Sequence, residues 1–308
     1  MNRIIVIGSS NTDMVVKSKK IPSPGETILG GDFLMNPGGK GANQAVAAAR
    51  LGGIVTFVTK TGNDLFGDQA KHLFDIEEID TRFIIKDLKN PSGIALIMVD
   101  ENGENCIVVA PGSNAALSAY DISDEVYIND PTDVYLMQLE IPVSTVEFVA
   151  EKVSKNGNKV ILNPAPARKI SEDLFRSLYL ITPNEVEAEL LTGIKVTDPI
   201  SAEKAAEKLL GKGVKNVIIT LGATGAFLLS GKTSKIIPVI PVKAIDSTAA
   251  GDVFNGALAV AISEGRELEE AVIFANKAAA ISVTRMGAQA SAPYRNEIAP
   301  PSGGMGGE

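Results

Sequence analysis

The run Arg3-Ile4-Ile5-Val6-Ile7, closed by Gly8, is apolar at consecutive positions and rich in β-branched side chains, as in a strand buried on both faces. Runs of the same kind recur as IVTFVT from Ile54, DVYLMQ from Asp133, KVILN from Lys159 and NVIIT from Asn216. Between them the apolar positions fall three and four apart. These stretches are GANQAVAAARLG from Gly41, FGDQAKHLFDIEEI from Phe66, VSTVEFVAEKVSKNG from Val143 and SAEKAAEKLLGKG from Ser201, several closed by a glycine suited to a helix C-terminus. Strand and helix in alternation predict an α/β protein with a predominantly parallel sheet flanked by helices on both faces. Ligands of such sheets bind beyond the carboxyl ends of the strands, so polar residues of functional interest should collect there.

One stretch breaks the alternation. SGIALIMVDENGENCIVV from Ser92 reads as two strands around Asn102-Gly103, a hairpin signature that does not belong in a parallel sheet. Its first strand places Ile94, Leu96 and Met98 on one side and Ala95, Ile97 and Val99 on the other, so both faces favour burial. A projecting hairpin meets that demand by covering a ligand with one face and a second subunit with the other. The expectation is a small β lid, built from segments about 11–36 and 91–110, through which the chain forms a homodimer. ETILGGDFLM from Glu26 is the expected strand partner of the hairpin. An ordinary edge hairpin packed on the core is the alternative. After Asp246 the pattern turns helical, in GDVFNGALAVAISEG from Gly251 and ELEEAVIFANKAAAISVTRMG from Glu267, and PPSGGMGGE from Pro300 has no periodicity. The chain therefore reads as a single domain over 1–295 with a flexible tail over 296–308.

Composition narrows the chemistry. With 308 residues, 45% hydrophobic and 21% charged, the chain can bury a substantial core. A formal net charge of −8 gives no electrostatic footprint for nucleic acid or a membrane surface, and points to a metabolite-sized partner. The single cysteine, Cys106, excludes an internal disulfide and a thiolate metal cluster. Every histidine-based site would have to pass through His72, which lies in a surface-helix pattern and reads as structural. Chemistry is left to carboxylates, lysines, backbone amides and bound ions. The apolar run at the amino terminus is too short for a signal peptide, and no stretch approaches the ~20 apolar residues of a membrane span, so the expected location is the cytoplasm.

Two clusters carry candidate chemistry. In IDSTAAGDVFNGAL from Ile245, Ala249, Ala250 and Gly251 precede Asp252 at a helix start. Small residues there let an anion approach the free amides and the positive end of the helix dipole, and Asp252 could take a proton from an alcohol attacking a phosphorus held over them. Simple helix capping is the other reading. The second cluster, NPGGKGANQA from Asn36, is not a Walker loop, because Gly41 follows Lys40 where a hydroxyl is required. Nor is it a dinucleotide fingerprint, since Gln44 occupies the third glycine position. Lys40 and Asn43 would face the mouth of this loop; a turn needing positive φ before a closely packed helix would also explain its glycines. Asn11, Asp13 and Glu140 follow strands, where they either form turns or hold a hydroxyl-rich ligand.

GGKGANQAVAAARLG and IDSTAAGDVFNGAL together resemble the two signatures of the ribokinase-like (PfkB) carbohydrate kinases. GSSNTD, PGET, QLE, LNPAPA, TPNEVEAELLTG, ITLGATGA and TRMGAQAS follow in the family's order, so the resemblance covers nearly the whole chain. It implies a ribokinase-like fold and transfer of the γ-phosphate of ATP to the 5-hydroxyl of D-ribose, with Asp252 as base and the amides of Ala249, Ala250 and Gly251 as anion hole. By the same resemblance Asn11, Asp13, Gly39, Lys40, Asn43 and Glu140 hold the sugar beside Asp252. Asn184 and Glu187 organise Mg²⁺ and the phosphates, and Thr220, Gly222, Gly225 and Asn276, with Gly251, bind the nucleotide. The family's activating monovalent cation, usually K⁺, falls at Asp246, Thr248, Ser282, Arg285, Gly287 and Ser291. An always charged guanidinium cannot ligate a cation, so Arg285 would serve through its carbonyl. Ser247 stands where Thr is more usual and Ser282 where Ala occurs in some relatives, neither of which removes a needed group. A deoxyribose or nucleoside kinase and a catalytically silent sugar or nucleotide sensor are the alternatives on this fold. A nicotinamide dehydrogenase fails for want of the glycine fingerprint.

Overall fold

The first strand, β1 (Arg3–Ile7), buries both its faces: Ile4 and Val6 enter one apolar cluster and Ile5 and Ile7 the other, none more than 2% exposed. The computed structural model describes residues 2–127, 130–231 and 233–298. After β1 come β2 (Asn11–Lys17), β3 (Phe33–Gly38), α1 (Lys40–Arg50), β4 (Ile54–Gly62), α2 (Leu65–Ile76) and β5 (Ile84–Asp87). The hairpin strands β6 (Gly93–Val99) and β7 (Asn105–Ala110) follow, then β8 (Val134–Met137), α3 (Val143–Lys155), β9 (Lys159–Leu162), α4 (Glu172–Ser177) and β10 (Leu180–Ile181). The remainder is α5 (Glu185–Thr192), α6 (Pro199–Gly211), β11 (Asn216–Thr220), β12 (Ala226–Ser230), β13 (Thr233–Ile237), α7 (Ala250–Ser263), α8 (Leu268–Ser282) and α9 (Arg295–Ile298).

The main sheet has the order β13-β12-β11-β10-β9-β8-β1-β4-β5 and is parallel from β5 to β11. It turns antiparallel only at the β12–β13 edge. Helices α1, α2, α7 and α8 cover the face of Ile4 and Val6, while α3 to α6 cover the other. The expected α/β architecture with helices on both faces is what the chain adopts.

A second sheet, ordered β3-β2-β6-β7, stands apart from the first. It contains the expected hairpin, with Gly103 at φ 85° in the connecting turn, and its strands coincide with the expected lid segments, β3 running on to Gly38. The expected partner strand needs correction. β6 pairs in parallel with β2, from Asn11 opposite Gly93 to Lys17 opposite Val99, and Phe33–Gly38 lies on the far edge of β2. Glu26 to Asp32 form no strand, and Gly31 instead donates its N–H to Lys17 O at 2.7 Å, folding the chain back at the end of β2. Of the expected tail, residues 299–308 lie outside the described residues. The short helix α9 runs across the 295/296 boundary and is tied back where Arg295 pairs with Glu264 at 2.9 Å.

Glycine at two helix contacts sets the distances that matter for the site. A Cβ at Gly41 would stand 2.6 Å from the backbone of Gly8 and Ser9, so the start of α1 lies directly on the end of β1. On α7, a Cβ at Gly256 would stand 2.7 Å from Gln44 O and 2.8 Å from Ala47 Cβ, both on α1. Ala in place of Gly256 gains about 1 kcal/mol of helix propensity but forces apart a backbone contact, which costs about 1–3 kcal/mol. Gly256→Ala should therefore show a net loss of stability, read as a lower urea midpoint than the parent chain. A midpoint equal to or above the parent's would show that α1 and α7 separate freely.

Candidate active site

The order of the main sheet reverses at β1, which lies between β8 and β4. This is the topological switch point, where the loops after neighbouring strands diverge and leave a crevice. Into it lead Gly8 to Asn11 after β1, Gln138 to Glu140 after β8, Asn163 after β9, Thr182 to Asn184 after β10 and Thr220 at the end of β11. A cavity of about 580 Å³ extends from here across the start of α7. Its walls bring together Lys40, Asn184, Glu187, Thr220, Gly222, Gly225, Ala249, Ala250, Gly251, Asp252 and Asn276, all expected from the sequence.

At the tip of α7 the backbone makes a sharp entry: Ala249 has φ 58° and ψ 12°, a left-handed conformation that alanine rarely adopts. Val253 makes the first helical bond, to Ala249 O at 2.9 Å. The amides of Gly251 and Asp252 precede it in the first turn and are free to meet an anion. Of the three amides expected to form the hole, that of Ala250 is engaged, donating to Ser247 O at 3.2 Å. A Cβ at Gly251 would meet nothing within 4 Å, so this glycine borders open cavity where an anion can approach.

Asp252 is buried, 5% exposed, and both its carboxylate oxygens accept amide N–H groups. Asn43 Nδ2 donates to Oδ2 and Gln44 Nε2 to Oδ1, each at 2.9 Å. Burial pushes the Asp252 carboxyl above its ordinary range, against the lowering effect of the Lys40 charge and these two amides. Lys40 is raised in turn, chiefly by Asp252, and stays cationic among Glu140, Glu187 and Asp13. Asp13 is raised to about 6, first by burial and then by Glu140 and Asp252. The tightly packed start of α1 places Lys40 and Asn43, so both explanations of the glycine loop hold: Gly39 takes φ 89°, Gly41 permits close contact, and the polar residues between and after them face the site.

Asn11 and Asp13 come from β2 in the second sheet. Gly38 leaves room for the Asp13 carboxylate, since a Cβ there would stand 2.2 Å from Oδ2. Asn11 Oδ1 accepts from Asn114 Nδ2 at 2.8 Å, and the same Asn114 brackets the backbone of Ser10, accepting from its N–H at 2.9 Å and donating to its carbonyl at 3.1 Å. Glu140 spends Oε2 on Ser9 Oγ at 2.5 Å and on Lys40 N at 3.0 Å, which makes it the cap of α1 at Lys40, itself a residue of the cavity wall. Asn114 and Ser9 were not singled out from the sequence. Nothing in their local pattern distinguishes them.

The end of the cavity expected to receive phosphates and nucleotide is built from loop geometry. Asn184 and Glu187 form a reciprocal capping box at the start of α5, Glu187 N donating to Asn184 Oδ1 at 2.8 Å and Asn184 N to Glu187 Oε2 at 2.9 Å. Burial raises the Glu187 carboxyl. Gly225, at φ 109°, closes the loop after β11, where a Cβ would stand 2.2 Å from Ile237 O. Asn276 reaches that same exit, donating from Nδ2 to Ile237 O at 2.9 Å and Pro238 O at 3.4 Å, so it shapes the pocket wall with its amide nitrogen already engaged.

Of the six positions expected for a monovalent cation, Asp246 and Thr248 form the turn before α7, and Gly287 and the end of α8 at Ser282 meet it. Asp246 accepts from Thr248 N at 2.9 Å and Gly287 N at 2.8 Å, tying that turn to the loop after α8. Ser282 Oγ donates to Ala279 O and Ser291 Oγ to Ala288 O, which leaves oxygen lone pairs for a cation. The Arg285 guanidinium is paired with Glu297, in accord with a carbonyl-only role for that residue. This all-oxygen donor set fits a hard cation. Among the described residues no three His, Cys, Asp or Glu gather as a metal cage. Asn184 and Glu187 suit Mg²⁺ in its usual form, carried on phosphates with its own waters.

The model of the pfkB family carbohydrate kinase matches residues 1–295. The Haemophilus influenzae ribokinase is 47% identical over 294 residues, 96% of each chain. The Thermotoga maritima ribokinase structure superposes with a TM-score of 0.89 at 44% identity, covering 97% of this chain and 98% of that one. Arabidopsis thaliana ribokinase, solved with ribose and ATP, gives 0.91 at 33% identity, with 97% and 98% covered. A family match across residues 1–295 and near-complete coverage at this level of identity have one reading: the chain belongs to the pfkB family of carbohydrate kinases.

Proposed function

We propose that the chain transfers the γ-phosphate of ATP to O5 of D-ribose, releasing ADP and D-ribose 5-phosphate. The observation that carries this reading is a buried carboxylate, Asp252, set beneath first-turn amides of α7 that border open cavity. Asp252 takes the proton of the ribose 5-hydroxyl as that oxygen attacks the γ-phosphorus and the bond to the β–γ bridging oxygen breaks. The amides of Gly251 and Asp252 stabilise the charge on the transferring group, and Lys40 adds a fixed positive charge beside it. Asn11, Asp13, Asn43 and Glu140 orient the sugar. Thr220 to Gly225 and the wall shaped by Asn276 receive the nucleotide. Mg²⁺, held on the phosphates beside Asn184 and Glu187, supplies charge neutralisation when bound. The second sheet serves as a lid that excludes water from the transfer. The reaction belongs in the cytoplasm; no helix among the described residues is long and apolar enough to cross a membrane.

A coupled assay of ADP release with ribose tests the chemistry. Asp252→Asn should keep ribose affinity in calorimetry and lose roughly 10²–10⁴-fold in turnover. Gly251→Val should lose about 10²-fold or more while its thermal midpoint stays within a degree or two, because a Cβ there meets nothing within 4 Å. Near-normal turnover in Asp252→Asn would remove that residue as the base.

Potassium, held by carbonyls and hydroxyls around Asp246, would fix the turn that carries the α7 amides and not touch the sugar. Exchanging K⁺ for choline should then lower turnover with ribose affinity little changed. Equal turnover in the two salts would count against a cation at these positions.

The outward face of the lid supports a dimer. Alternation in register puts Phe33, Met35, Leu96 and Val108 on the face opposite Asp13, each at least 45% exposed. The parent chain should sediment as a dimer and the Leu96→Asp/Val108→Asp double variant as a monomer. A parent chain that stays monomeric at micromolar concentration would contradict this assembly.

A further inference from the structure

Four residues around Asp252, two of them (Asn163 and Thr182) also in the cavity wall, are hydrogen-bonded into a single chain. Gln138 Nε2 donates to Gln44 Oε1 at 2.6 Å, and Gln44 Nε2 donates both to Asp252 Oδ1 at 2.9 Å and to Asn163 Oδ1 at 3.1 Å. Asn163 Nδ2 donates to the Thr182 carbonyl at 3.2 Å. Gln44 and Gln138 are both fully buried.

The direction of this chain is set at its far end. The Thr182 carbonyl can only accept, so Asn163 must turn its nitrogen to Thr182 and its oxygen to Gln44. Gln44 must then present its NH₂ group towards Asn163 and Asp252. The orientation follows from a backbone carbonyl and is independent of the charge on Asp252. With Gln138 donating to its oxygen, both N–H donors and one lone pair of the Gln44 amide are engaged, and flipping it would set oxygen against oxygen.

We propose that Gln44 is a positioning residue for the Asp252 base, its amide held by Thr182, Asn163 and Gln138 so that it always offers an N–H to Oδ1 of the carboxylate. This rests on the reading of Asp252 as the base of the transfer. A fixed donor stabilises the carboxylate over the carboxylic acid and holds its plane, leaving the remaining lone pairs to meet the sugar hydroxyl. Asn43, the other donor, is 7% exposed with its own Oδ1 unpartnered, and is expected to turn towards the sugar. Gln44 is the donor that remains. The carboxyl it serves is pushed up by burial and also feels Lys40 on α1, Asp13 on β2, Glu140 after β8 and Glu187 on α5. Of these only Lys40 favours ionisation.

The test is the pH profile of single-turnover phosphoryl transfer to ribose. Gln44→Met keeps the bulk and removes the donor. A lost hydrogen bond to a charged group should move the acid limb up by about one pH unit or more, roughly tenfold in rate below the limb, with ribose affinity within about threefold of the parent. Gln138→Met, which frees the oxygen end of the amide, should move the limb the same way by less. In the unmodified protein, the Gln44 side-chain NH₂ resonances should titrate with the midpoint of the limb, a measurement that needs no variant to fold. An unmoved limb in either folded variant, or flat NH₂ resonances through the limb, overturns the proposal. Asp252→Asn separates the two claims: if it remains active the reading of the base fails, whereas an inactive Asp252→Asn beside an unmoved limb in Gln44→Met sinks only the role of Gln44.

Discussion

The site depends on how closely two helices cross. At Gly256 the separation of α7 from α1 leaves no space for a methyl group, and Ala42, Ala45, Ala47 and Ala48 are wholly buried along the same helix. Residues this small contribute little apolar area each, so the contact is held by packing of backbone on backbone. Its consequence is geometric. Asn43 and Gln44 have short reaches, and only at this spacing do both close on the Asp252 carboxylate from the neighbouring helix. The approach of Gly41 to Gly8 sets the third side, placing the end of β1 and the Glu140 cap against the start of α1. Strand end, glycine loop and α7 are thus fixed relative to one another by positions that carry no functional group.

The electrostatic character of the cavity follows from the same packing. Asp13, Glu140, Glu187 and Asp252 surround a single Lys40, so the pocket carries an excess of negative charge before any substrate enters. A triphosphate cannot be held there by cations of the protein alone. On the proposed reading, backbone N–H groups at the α7 tip and cations arriving with the nucleotide would offset the repulsion. Oriented dipoles suit this task because they would attract a transferring group without neutralising the nearby carboxylate proposed to accept a proton.

Much of this was legible in the sequence, and what was not has identifiable causes. Consecutive β-branched runs marked the central strands because burial on both faces leaves no polar alternation, and Asn102-Gly103 marked the hairpin because few residues tolerate its turn. The partner of that hairpin was misplaced. Local pattern tells which face of a strand is apolar but not which edge is paired, and in Asn11–Lys17 only Met14 to Val16 are apolar, which leaves little to mark it as the partner strand. The β10 strand and the antiparallel β12–β13 edge escaped because they are short or Gly-bounded. At the site, residues with a charge or a glycine pattern were visible, whereas Gln44, Gln138, Asn163 and Asn114 are lone amides whose importance arises from partners up to 208 positions away. Gln44 entered the sequence reading only as the residue that spoiled a dinucleotide motif.

Ala249 holds a backbone conformation that glycine would adopt without cost and that alanine resists by about 1–2 kcal/mol. The strained choice has a mechanical meaning. Glycine at this hinge would relax the tip and also allow it to swing among several backbone states, each aiming the following amides elsewhere. With a methyl group in place the chain has fewer ways to leave the bend, so stability given up at one residue is returned as stiffness in the part of the molecule where aim matters most.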